Sequence, residues 1–281
     1  MRKPKLWQQI TYQVALALVA LFVLLPILGM LRIALDSTIK SVPTEFRLLP
    51  KQFTLNAFIH VWEKPSQSLS LLGLLKNSLV VSGGAALLSV VLGASMAFAF
   101  ARFRFPGRKM GLFGLLVGAL LPPVALMTPL YILLSAIGLR TTLWGLMIVY
   151  TAFSMPFCVW NMRSSFQAVP KELEESAFLD GASYLTTFIR VTFPLALPSI
   201  AVAALLAFLT GYTEFAIGWL FVESSSNVTL AMAVSGIVGQ SAGYGWPNLS
   251  AIAILTCIPV VVLFLTLNRF LMRGLLVGFM E

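Results

Sequence analysis

The ten carboxylates of this 281-residue chain are unevenly placed. Glu172, Glu174, Glu175 and Asp180 fall within one stretch, KELEESAFLDGAS, from Lys171 to Ser183. Glu214 lies inside an apolar run. Gathered acids can hold a metal, shuttle protons or meet a basic partner. The groups that metal or hydrolytic chemistry also needs are missing. His60 is the single histidine, no His-Glu-x-x-His occurs, and Cys158 and Cys257 show no metal-ligand spacing. No Gly-x-x-x-x-Gly-Lys-Ser/Thr loop is present to cradle phosphates. The acidic stretch is therefore read as a surface for a protein partner or a plain polar loop. Glu214, a carboxyl in an apolar span, marks a functional position by default because a bare charge there is costly.

Local rules give the acidic stretch a shape. Pro170 suits a helix start, and Glu172, Glu174 and Glu175 then lie near the positive end of the helix dipole. Leu173 and Ala177 share a face. Asp180-Gly181 reads as a stop, with Gly181 free to adopt the left-handed conformation. Ser183 can cap a second helix carrying Tyr184, Leu185, Phe188 and Val191. The prediction is two short amphipathic helices at an angle. Acids are poorly suited to lying on negatively charged lipid, which favours a protein partner.

The elements that carry these residues follow from composition. Hydrophobic residues make up 59% and charged ones 10%, with mean hydropathy +0.93. Soluble domains hold roughly 25% charged residues. The apolar runs are continuous, where barrel strands would alternate. This gives an all-α integral membrane protein forming a single transmembrane domain over 1–281. Six spans are expected at about 12–34, 74–100, 111–137, 142–162, 196–221 and 248–270, with a polar loop at about 163–195. Pro122, Pro123 and Pro129 predict a kink or unwound stretch in the third span. Gly83, Gly84, Gly93, Ala94 and Ser95 predict close helix packing in the second.

The net charge of +9 does not point to nucleic acid, because the cations flank apolar runs instead of forming one tract. Arg102, Arg104, Arg108 and Lys109 lie between spans two and three, against Arg140 alone between three and four. By the positive-inside rule both termini and the acidic loop are cytoplasmic.

The motif Glu175-Ser176-Ala177-x-x-x-Gly181, nine residues, then Val191-Thr192-Phe193-Pro194 resembles the cytoplasmic motif of binding-protein-dependent ATP-binding-cassette importer permeases. The family pattern is Glu-Ala-Ala, three residues, Gly, nine residues, Ile-x-Leu-Pro. Ser176, Val191 and Phe193 are mild departures. "NSL" (Asn77–Leu79), "ARFRFPGRK" (Ala101–Lys109), "PPVALMTPLY" (Pro122–Tyr131), "YTEF" (Tyr212–Phe215) and "RGLLVGFM" resemble the carbohydrate branch, and YTEF is most similar to the second permease subunit of maltose importers.

The resemblance implies a type I importer permease fold in a bacterial or archaeal cytoplasmic membrane. It implies a coupling loop in which Glu174, Glu175, Ser176, Ala177, Asp180, Gly181 and Pro194 meet an ATPase subunit. The implied partners are a second, homologous permease subunit forming a heterodimer, a dimer of ABC ATPases that bind the ATP and Mg, an extracytoplasmic sugar-binding protein, and membrane lipids. No cofactor is expected in this chain, and the chain itself is not expected to be an enzyme. Glu214, Pro122 and Tyr131 are candidates for the translocation path or the subunit interface. Tyr244 and Trp246, in GQSAGYGWPN, are candidates for a loop facing the binding protein.

Two other classes compete. An ion-coupled secondary transporter needs ionisable groups within its spans, and Glu214 is the one clear candidate. An integral-membrane enzyme needs a nucleophile–base or metal constellation, which the sequence lacks.

Overall fold

The computed structural model describes residues 6–39, 47, 49–63, 69–239 and 245–277. Among these, regular structure is helical apart from one isolated antiparallel bridge, Asp36 to Phe53. The helices are α1 (Leu6–Ala34), α2 (Asn56–Glu63), α3 (Leu71–Arg102), α4 (Arg108–Leu120), α5 (Pro123–Ala136), α6 (Leu143–Ala168), α7 (Lys171–Leu179), α8 (Tyr184–Thr187), α9 (Phe193–Leu195), α10 (Leu197–Thr213), α11 (Ala216–Phe221), α12 (Leu230–Gly239) and α13 (Gly245–Val277). A π-helical turn, Phe188–Thr192, joins α8 to α9.

Among the described residues four helices are long and apolar enough to cross a bilayer: α1, α3, α6 and Gly245–Asn268 of α13. Two bent pairs raise the number to six if each is counted as one span: α4 with α5, bent by 104°, and Tyr184–Leu195 with α10, bent by 81°, where Tyr184–Leu195 falls in the expected polar loop and α10 in the expected fifth span. The first break falls at the predicted prolines. Pro122 is extended (φ −65°, ψ 131°) and Pro123 opens α5, because a proline drives the residue before it out of the helical region. The expected fifth span at 196–221 is divided: α10 ends at Thr213, and α11 begins after Glu214 and Phe215. α6 continues six residues past the expected end at 162, since Met162 and Phe166 keep burying an apolar face.

The chain forms two compact units, Met1–Leu71 with Val234–Cys257, and Leu72–Ala233 with Ile258–Glu281. In the first, α1 fully buries only Arg32 and Ala34 and leaves most of its apolar side chains exposed. Just past its end, the buried Asp36 carboxylate accepts the Thr38 amide (3.0 Å), the Thr38 hydroxyl (2.6 Å) and the Lys51 amide (2.9 Å). Burial raises this carboxyl. The hydrogen bonds from Thr38 and from the Lys51 and Gln52 backbone outweigh it and hold the pKa at about 2.

In the second unit α6 is the axis. Cys158, Val159, Met162 and Phe166 pack with Ala94, Ala97, Phe98 and Ala203. Leu146, Val149 and Tyr150 pack with Val81, Ala85, Phe221 and Met232. Small residues set the spacing, as expected for Gly93: a Cβ there would stand 3.2 Å from Cys158 Cβ. Gly83, by contrast, has open space beside it.

Candidate functional site: the acidic loop and the helix breaks

α7 starts one residue after Pro170 and ends in a full turn closure. The Gly181 amide donates to Phe178 O (3.0 Å), and the Ala182 amide to Ala177 O (2.9 Å). Those two bonds, with Gly181 at φ +84°, form a Schellman motif. A Cβ at Gly181 would meet nothing, so the backbone conformation alone demands glycine. Ser183 then caps α8, its hydroxyl accepting the Thr186 amide at 3.3 Å. The predicted helix–turn–helix is present.

Its outer surface carries Glu172, Glu175, Ser176, Asp180 and Pro194, all exposed. Leu179 (90% exposed), Tyr184 and Leu185 stand among them. Ala177 is half-buried. Beneath lies an aromatic layer. Tyr184 meets Phe178 at 4.9 Å and Phe103 at 5.4 Å, and Phe188 meets Phe98 at 4.7 Å between ring centroids. The loop is thus a wedge packed on its aromatic layer, with an acidic, apolar-tipped outer face.

Glu174 departs from its neighbours. Its side chain points inward and is buried. Its Oε1 accepts Arg102 Nε at 2.9 Å and the Thr192 hydroxyl at 2.7 Å. Arg102 also donates to Val169 O at 2.8 Å. Sequence reasoning grouped Glu174 with the exposed acids and read Arg102 as a topology charge. No local signal marks Glu174 as the buried acid, because Glu174 and Glu175 are alike in sequence.

Glu214 sits at the break between α10 and α11 with an extended backbone. Its carboxylate accepts the Ile217 amide (3.0 Å), the Gly218 amide (3.2 Å) and the Tyr150 hydroxyl (2.8 Å). It therefore caps the first turn of α11 and ties it to α6. Tyr131 receives a hydrogen bond from Arg140, whose guanidinium stacks 4.8 Å over its ring and pairs bidentately with Glu223 at 2.6 and 3.1 Å. Pro122 is the corner of the 104° bend. The structure thus gives Glu214 and Tyr131 partners within the chain. Tyr244 lies outside the described residues. Trp246 is exposed in the first turn of α13.

The "NSL" motif also acquires a role that the sequence did not suggest. Asn77 Nδ2 donates to Ser226 O (2.7 Å) and Val228 O (2.9 Å), and the Ser78 hydroxyl accepts the Leu230 amide (2.7 Å). These bonds pin the turn before α12 onto α3. Among the described residues no group of three or more metal-ligating side chains occurs.

Residues 89–277 match the family model described as binding-protein-dependent transport system inner membrane component. The trehalose transport system permease protein SugB of Mycobacterium tuberculosis is 30% identical over 263 residues, 93% of each chain. The maltose/maltodextrin transport system permease protein MalG of Salmonella typhimurium is 32% identical over 208 residues, 72% of this chain and 70% of that one. In structure, a chain of a bacterial ABC transporter involved in the import of the acidic polysaccharide alginate superposes with TM-score 0.74 at 20% identity, covering 96% of this chain and 99% of that one.

Proposed function

We propose a function from one premise: the chain belongs to the binding-protein-dependent transport system inner membrane component family. On this reading it is the multi-pass permease subunit of an ATP-driven importer in the cytoplasmic membrane. Its cargo is a carbohydrate of the trehalose or maltodextrin class, following the relatives named above. A sugar-binding protein delivers the cargo from outside. ATP and Mg are held by separate ATPase subunits. A second, homologous permease completes the pathway.

The observation that carries the proposal is the wedge from Lys171 to Pro194. The spacing Glu175…Gly181…Pro194 resembles the family's coupling motif, and it is built as an exposed helix, a Schellman turn and a capped second helix. In the proposed orientation, with both termini cytoplasmic, this wedge faces the ATPases. Glu175 offers charge to a basic cleft, Leu179 offers an apolar tip, and Gly181 sets the angle between the two helices. An ion-coupled mechanism would lean on Glu214, whose carboxylate already accepts three donors from its own chain.

The test is uptake of labelled maltose and trehalose by proteoliposomes holding the purified complex. ATP inside should drive accumulation. Gly181→Pro and Glu175→Lys should each lower it by at least tenfold with normal membrane insertion. Normal uptake by both variants would remove the coupling assignment. Uptake driven by a proton gradient without ATP would favour the ion-coupled class.

A further inference from the structure

Adjacent glutamates on α7 face opposite ways, and this separates docking from transmission. Glu175 is exposed, whereas Glu174 has 8% of its side-chain surface accessible and its partner Arg102 9%. Successive helical residues are rotated by about 100°, so one turn of α7 presents one acid outward and one inward. A carboxylate built to meet an external protein would not be sealed beneath its own helix. A buried charge also persists only when it is paired and hydrogen-bonded, and Glu174 is both.

The geometry converges on a single atom. Glu174 Oε1 accepts from Arg102, the last residue of α3, and from Thr192, the last residue of the π-helical turn leading toward α10. Thr192 is fully buried. Arg102 simultaneously holds the carbonyl of Val169, the residue that terminates α6. Four segments therefore meet at one ion pair: the ends of α3 and α6, the first turn of α7, and the approach to α10.

We infer that Glu174 is a positioning residue whose carboxylate, clasped by Arg102 and Thr192, makes α7 move as one body with the ends of α3, α6 and the π turn. The inference rests on the coupling-loop reading and adds what the outer face cannot supply. A partner pushing on α7 would displace only a surface helix if the helix were free to rock. The clasp passes that displacement to three membrane helices at once.

The experiment uses the full complex and whichever of maltose or trehalose the wild type transports. It reads ATPase co-purification, ATP turnover and sugar moved per ATP. Glu174→Ala should keep the ATPase subunits bound at wild-type yield, while sugar per ATP falls at least tenfold. Glu174→Gln, which still offers an acceptor oxygen to both donors, should retain at least a third. Adding Arg102→Met to Glu174→Ala should lower the ratio by less than a further twofold. Thr192→Val, a smaller lesion if the alanine variant fails to insert, should lower the ratio about threefold. Loss of the ATPase subunits from Glu174→Ala would place the residue at the partner interface and overturn the inference. So would sugar per ATP within twofold of wild type in both Glu174→Ala and Thr192→Val. Failure of the coupling-loop reading looks different: Glu175→Lys and Gly181→Pro would then leave both co-purification and uptake intact.

Discussion

The Tyr150 hydroxyl donates to Glu214 across 2.8 Å, joining the N-terminal third of α6 to the break that ends α10. The same carboxylate caps α11 through two backbone amides. A helix interrupted within the membrane leaves backbone groups unpaired, and here one acid repairs the gap. Tyr150→Phe should therefore cost about 1 kcal/mol of stability, by taking one of three donors from a part-buried acceptor. Glu214→Ala should cost more, since three donors lose their acceptor together. Thermal unfolding of the purified chain in detergent ranks the two. Equal stability of Tyr150→Phe and wild type would sink this account.

Asn77 should tolerate no acid. Its amide nitrogen serves the carbonyls of Ser226 and Val228, and a carboxylate of the same shape would face both with like partial charge. Asn77→Asp should thus destabilise the turn before α12 more than Asn77→Ala, which loses about 1–3 kcal/mol. Protease nicking between Val222 and Thr229 reads this directly, fastest for the aspartate variant. The reverse order would show that the amide donors are not what holds the turn.

Asp36 makes a pH prediction. Its folded pKa of about 2 lies below the ordinary 3.8, so ionised Asp36 stabilises the fold at all pH values well above 3.8. That contribution is lost as pH falls through about 2. The difference in melting temperature between wild type and Asp36→Asn should be constant from about pH 8 to pH 5 and shrink between about pH 4 and pH 2. A difference that grew on acidification would contradict the hydrogen-bond explanation.

Gly211 should be strict. A Cβ there would stand 3.1 Å from Ser82 Cα, a backbone atom that cannot swing away. Gly211→Ala should cost about 1–3 kcal/mol through overpacking of α10 on α3, and Gly211→Val more. Gly83→Ala, with open space beside it, serves as the control and should behave as wild type. Yield and melting temperature of the three variants decide the matter.

Much of this architecture is legible in the residues because it is local or compositional. Apolar runs locate the spans, Pro122-Pro123 locates the corner, and Asp180-Gly181 and Ser183 locate the wedge. Each of those signals acts within a few residues. What escapes is contact between distant positions. Arg102 and Glu174 are 72 positions apart, and nothing in either neighbourhood names the other. Glu174 and Glu175 look alike in sequence, and only knowledge of which face of α7 is covered distinguishes them. α7 is too polar for its apolar positions to fix that face. Asn77 shows the same limit, since its two acceptors lie about 150 residues away. The division of the fifth span at Glu214 was visible as an acid in an apolar run, but its repair by Tyr150 was not.

The π turn before α9 makes the chain tolerant of one residue of length. In it the Phe193 amide reaches back to Phe188 O, five residues instead of four, so the helix holds one residue more than a regular coil would. A regular helix turns by about 100° per residue, and the wider turn absorbs that step. Deleting one residue from Phe188–Val191 would close the bulge to a regular repeat and leave Ser183 and the wedge close to their present phase with Thr192. A single-codon deletion, which in an ordinary helix rotates everything on one side of it, is here nearly silent.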